Sequence, residues 1–180
     1  MDLYLVEPVG PFPVAIGNAF NTFTTRQDIS PSPLPIIGAG KLRAQSQIEI
    51  DARGEFSTTG TPTLSIGVYL GTQAAAITQV IAESGAITTG SGAAAWPWEL
   101  HWEGIVTGTG TSGSMTGCGT LQLGTSLTAY STNPIPTTAA ARVVAIDTTI
   151  ARAIGVCATW GTSSASNTLK VYKHSVSIRN

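Results

Sequence analysis

Charge is what this sequence has least of. Lys, Arg, Asp and Glu make up 11% of its 180 residues, under half of the roughly 25% of an average soluble domain. Nine cations against ten anions leave a formal net charge of −1, with no basic run anywhere. A protein that neutralises nucleic acid carries a basic arm or stripe, so no contact with a genome is expected. No apolar run reaches the 18 residues that suggest a membrane-spanning helix. The acidic start, Met1-Asp2-Leu3-Tyr4-Leu5-Val6-Glu7, soon broken by prolines, is unlike a secretory leader. Two cysteines, Cys118 and Cys157, are too few for a disulfide scaffold. They read as small, partly buried thiols, with a pairing between neighbouring strands left open.

The missing charge is replaced by Thr, Ser, Gly and Ala. Thr favours strands through its β-branch and Gly serves tight turns. From Lys41 onward period-2 alternation dominates. Leu42, Ala44, Ser46, Ile48 and Ile50 share one face, and Arg43, Gln45, Gln47, Glu49 and Asp51 the other. Leu64, Ile66, Val68 and Leu70 alternate with Ser65, Gly67 and Tyr69, and a weaker strand falls near 76–82. Trp98, Leu100, Trp102, Gly104 and Val106 face inward, while Glu99, His101 and Glu103 face outward. Further strands follow at 115–127, 143–147, 150–160 and 169–178, with Asn133–Pro136 as a loop and Gly161–Asn167 as a turn. About eight strands at this spacing predict an all-β fold, an antiparallel β-sandwich of two sheets with jelly-roll connectivity. An immunoglobulin-like sandwich is the second choice, because Trp160 follows Cys157 instead of lying between the cysteines.

Residues 1–40 differ. Six of the ten prolines fall there, at 8, 11, 13, 31, 33 and 35, and proline excludes central strand and long helix. Yet Leu3, Tyr4, Leu5, Val6, Phe12, Ile16, Phe20, Phe23, Leu34, Ile36 and Ile37 need burial. The segment reads as an extended arm, 1–40, lying on a sandwich domain, 41–180. The covered surface is its own sandwich, a sister subunit or another partner, so these apolar residues other than Leu34, with Trp96 at a strand entrance, are the candidate partner-binding set. The competing reading wraps the segment onto its own domain as strand and loops.

No constellation for catalysis emerges, no cofactor is implied, and the chain is expected not to be an enzyme. Glu99, His101 and Glu103 alternate on one strand, where a metal would need help from another strand; the plain reading is a solvated outer face. Glu99 and Glu103, about 13 Å apart at four-residue spacing, are too far apart for a glycosidase pair. Gly108–Gly113 matches G-x-G-x-x-G, but a strand follows where a dinucleotide site needs a helix, so it is a glycine-rich hairpin. No sequence pattern makes Cys157 a nucleophile with a histidine such as His174. Trp98, Trp102 and Trp160 follow core parity, leaving Trp96, with Tyr69 and Tyr172, as a possible aromatic platform for a sugar.

Three segments, Thr61–Gly71 (TPTLSIGVYLG), Ala95–Leu100 (AWPWEL) and Ala145–Val171 (AIDTTIARAIGVCATWGTSSASNTLKV), resemble small virion-associated proteins of tailed bacteriophages, those of actinobacterial phages foremost. The resemblance spans roughly residues 41–178 and rests on strand-and-turn patterns. It implies a β-sandwich seated on the virion, a head decoration or minor capsid protein, often trimeric, contacting the major capsid protein, with no active-site residues to carry over. A tail or receptor-binding module contacting host-surface carbohydrate is the alternative.

Overall fold

A computed structural model of the chain describes residues 3–5 (backbone path), 19–31, 34–72 and 77–180. Among the described residues all regular structure is β apart from one 3-10 turn, Ala140–Arg142. The strands are β1 (Leu3–Leu5), β2 (Gln27–Asp28), β3 (Ile36–Ile37), β4 (Gln47–Ser57), β5 (Thr63–Gly71), β6 (Ile77–Glu83), β7 (Ile87–Thr88), β8 (Trp96–Gly108), β9 (Gly113–Gly124), β10 (Tyr130–Ile135), β11 (Val143–Ile146), β12 (Arg152–Trp160) and β13 (Thr168–Arg179). They form two antiparallel sheets packed face to face, the sandwich that the alternation predicts.

The larger sheet runs β1-β13-β4-β8-β9, with β10 and β11 sharing the far edge of β9. The smaller has β12 and β5 at its centre, β2 and β3 along β12, and β6 and β7 along β5. The ribbon formed by β4 with β13 continues into the other sheet as β5 with β12, a feature shared with jelly rolls.

Alternation builds the core. Ile48, Ile50, Ala52 and Phe56 of β4, Trp98, Leu100, Trp102 and Val106 of β8, and Leu121 and Leu123 of β9 meet Leu64, Ile66, Val68, Leu70, Ile154, Val156 and Trp160 from the opposite sheet in one cluster. Each fully buried side chain of this size contributes about 1.5–3 kcal/mol. Trp98 and Trp102 are buried as expected, and the sheet makes room for their rings with glycine. The Trp102 ring lies over the cross-strand pair Gly104 and Gly117, where a Cβ on either would collide with it. The Trp98 ring passes Gly54 and donates its indole N–H to the Lys170 carbonyl at 3.1 Å.

The structure differs from the sequence reading in several places. β5 and β12 are buried on both faces: Tyr69, Gly155 and Cys157, which point away from the core, are inaccessible too. Ser30 seals that side, accepting from Val156 N at 2.7 Å beside the Ile29 N–H bond to Val156 O at 3.0 Å. The Tyr69 hydroxyl lies beside Asp28 and Ser30 without a well-formed hydrogen bond to either. Asn133–Pro136 lies largely in strand, since β10 runs to Ile135, because an edge position tolerates Pro134. The expected 115–127 strand ends at Gly124, which leaves Leu127 exposed. β4 begins at Gln47, two residues after Gln45 turns the chain with φ of 70°.

The largest difference concerns residues 19–40. Phe23, Ile29 and Ile37 belong to the core cluster, and Phe20 packs against it. Phe20 exchanges backbone hydrogen bonds with Leu169 at 2.8 and 2.9 Å, and the Pro35 carbonyl accepts from Ile154 at 3.1 Å. The prolines forbid a central strand, but the chain between them still supplies edge pairing and apolar side chains that close the sandwich. The described residues of this stretch, 19–31 and 34–40, therefore pack onto the sandwich as the wrapped reading has it.

Candidate functional site

The outer face of the larger sheet carries an ordered group of polar side chains. Strand register sets them in rows across β13, β4, β8 and β9: Arg179–Gln47–Ile105–Thr116, Ser177–Glu49–Glu103–Cys118, Ser175–Asp51–His101–Thr120 and Lys173–Arg53–Glu99–Gln122. The first row continues to Val143 on β11. Lys170 and Glu55 begin a fifth row. Nine of the nineteen Lys, Arg, Asp and Glu residues thus sit on one face of three strands.

Cross-strand pairs fill this face. Arg179 Nη2 reaches Glu49 Oε2 at 3.1 Å, Lys170 Nζ reaches Glu55 Oε1 at 2.8 Å, and Arg53 lies 4.0 Å from Glu99. The Ser177 hydroxyl donates to Glu49 at 3.2 Å. His101 bridges two carboxylates, with Nδ1 2.8 Å from Asp51 Oδ1 and Nε2 3.4 Å from Glu103 Oε1. The Asp51 hydrogen bond raises the His101 pKa above its ordinary value, against the pull of partial burial. Lys170 likewise holds the Glu55 carboxyl below the usual range. Such exposed pairs contribute little stability each; their effect is to fix side-chain positions across the face.

Beside the charged rows the face turns apolar. A groove of about 400 Å³ lies against Glu49, Glu103, Ile105, Thr116, Cys118 and Arg142. Ile105 is 38% exposed and Val143 63% exposed, on either side of Thr116 in the same row. Leu127 and Tyr130 are exposed as well, at the other end of β9 on its connection to β10.

The candidate partner-binding residues do not converge. Leu3, Tyr4 and Leu5 form β1, whose backbone pairs with Arg179, Ile178 and Ser177. Val6, Phe12 and Ile16 lie outside the described residues. Phe23 and Ile37 are buried in the core and so cannot serve a partner, a correction to the expected set; Phe20 and Ile36 are half-buried. Trp96 is half-buried too, edge-on to Phe56 with ring centroids 6.2 Å apart, so it caps the core. Nor do the aromatics form a platform: Tyr69 is fully buried, while Tyr172, exposed, belongs to the bulge in β13. Ile105, Val143 and Arg142 escaped the sequence reading. Ile105 carried a signal, being an apolar residue at the outward parity of Glu99, His101 and Glu103.

The remaining reactive groups are dispersed. Cys118 and Cys157 are both free, Cys118 exposed on the larger sheet and Cys157 buried in the smaller, where burial pushes its thiol pKa up to about 12. His174 sits opposite inward-facing Ala52, turned inward by the β13 bulge, and burial lowers its pKa to about 4. Gly108–Gly113 forms the β8–β9 hairpin tip, as expected. No family model, curated protein or solved structure significantly matches this chain.

Proposed function

We propose that this protein is a structural component of a virus particle, a head decoration or minor capsid protein that works by docking. The observation that carries the reading is the outer face of the larger sheet, where exposed Ile105 lines a groove beside ordered charge pairs and exposed Val143 lies in the same cross-strand row. A docking surface needs an apolar centre to exclude water and polar groups around it to set register. The low overall charge and the virion-protein resemblance of residues 41–178 point the same way. In this reading the sandwich bridges neighbouring major capsid subunits, as a trimer around a threefold axis, and opposes the outward pressure of packaged DNA. Each contact is weak, and many copies share the load. The site of action is the capsid surface.

The alternative, a tail module gripping host carbohydrate, loses support because Trp96, Tyr69 and Tyr172 form no common groove.

Cosedimentation with purified heads, isolated tails and host cells tests the proposal. Saturable binding to heads at fixed copy number is expected, weakened by Ile105→Asp and Val143→Asp in protein that still unfolds like the wild type. Binding to tails or cells alone would overturn it and favour adhesion.

A further inference from the structure

Register brings together on the larger sheet a set of side chains that β8 alone does not hold. Glu49 and Asp51 of β4 and His101 of β8 each place one ligand atom within 4.8 Å of the others. On β8 alone the alternating residues are Glu99, His101 and Glu103, but Glu99 turns to Arg53. The help from a second strand comes from β4, whose residues 49 and 51 lie opposite 103 and 101.

Two features set this cluster apart from an ordinary solvated face. Glu49 stands directly opposite Glu103, and like charges so placed destabilise an antiparallel pair. Asp51 adds a third carboxylate around the single imidazole, while Arg179 bonds only to Glu49. The imidazole is also oriented: Nδ1 faces Asp51 at 2.8 Å and Nε2 faces Glu103 at 3.4 Å. A histidine that offers one nitrogen to a metal commonly donates its other N–H to a carboxylate, which fixes ring and tautomer. Glu49 also borders the groove that runs past Glu103 and Ile105.

We propose that Glu49, Asp51 and His101 bind one borderline divalent cation of the zinc class, with Glu103 as a positioning residue for His101. An imidazole nitrogen with carboxylate oxygens suits Zn²⁺ or Co²⁺, whereas Mg²⁺ and Ca²⁺ sites are built from oxygen alone. The ion replaces the proton between His101 and Asp51, relieves the Glu49–Glu103 repulsion and ties β4 to β8. The assignment does not depend on the docking reading.

Tag-free protein titrated with CoCl₂ by visible absorption, and with ZnCl₂ or MgCl₂ by calorimetry, decides the matter. One Co²⁺ or Zn²⁺ per chain is expected, with a cobalt d–d band displaced by zinc, no Mg²⁺ signal, and a zinc-dependent rise in Tm. His101→Gln and Asp51→Asn should each weaken binding at least roughly tenfold. Glu103→Gln should keep the cobalt band at lower affinity, and Glu99→Gln and Cys118→Ser should bind as the wild type does. If His101→Gln fails to fold, Asp51→Asn carries the test. Absence of saturable binding at millimolar metal, binding indifferent to both His101→Gln and Asp51→Asn, or binding lost in Cys118→Ser would each overturn the assignment.

Discussion

Replacing Gly104 by alanine should destabilise the protein, and the sign of the effect is diagnostic. At a strand position without positive φ, Gly→Ala ordinarily stabilises by about 0.4–1 kcal/mol, because it restricts the unfolded chain. At Gly104 the added Cβ would lie 2.9 Å from both Cζ2 and Cζ3 of Trp102 and closer still to Cη2. Trp102 is 1% exposed and part of the core cluster, so its ring has nowhere to retreat. Overpacking of this kind costs about 1–3 kcal/mol. Gly104 is a cleaner probe than Gly117, whose added Cβ would also meet the Glu103 carbonyl. Urea unfolding of Gly104→Ala, Trp102→Leu and the double variant completes a cycle. Trp102→Leu removes the obstructing ring, so alanine at 104 should then cost less than half as much, and the two sites should couple by about 1 kcal/mol or more. Trp102→Ala alone should cost about 3–5 kcal/mol. A stabilising Gly104→Ala, or an equal cost in both backgrounds, would mean that the ring does not lie over β8 and that the strand register argued here is wrong.

Three further outcomes follow from other parts of the fold. His174 is held neutral by burial, its folded pKa of about 4 lying below the roughly 6.5 of an exposed histidine; the unfolded chain therefore binds the proton first, and stability should fall as pH drops from about 6.5 towards 4, by up to about 3 kcal/mol. Urea midpoints across that range should show the slope in the wild type and lose its upper part in His174→Leu; equal slopes would place His174 in solvent. Cys118 is exposed and Cys157 buried, so a thiol reagent should modify one cysteine in native protein and the second only on unfolding; two fast thiols would contradict the burial of β12. Ile29 is fully buried, so Ile29→Ala should cost about 2–5 kcal/mol, and deletion of residues 1–40 should abolish cooperative unfolding; a two-state transition in the truncated chain would restore the detachable arm.

The sandwich was legible because burial on one face writes a period of 2 into the sequence. β4 and β8 show it plainly, Ile48, Ile50, Trp98 and Trp102 alternating with Glu49, Asp51, Glu99 and His101, and their side chains fall where the alternation puts them. β5 and β12 hid their second buried face because glycine, alanine, serine and cysteine fill most of it, residues that mark neither core nor surface by polarity, and its one large residue, Tyr69, ends in a polar hydroxyl. Residues 19–40 were misjudged for a related reason. Proline reports what the backbone cannot donate, but not whether the intervening Phe23, Ile29 and Ile37 find a cavity in their own domain. The outer face lay beyond periodicity altogether. Alternation tells that Glu49, Asp51, His101 and Glu103 point outward, yet only pairing of β4 with β8 sets Glu49 against Glu103 and Asp51 against His101. A shift of one residue in that register would send every one of them to the core. The same hydrophobic residues that fix the fold therefore fix the cluster: Ile50 and Trp102, paired on the inner face, hold in place the four polar side chains on the other side of the sheet.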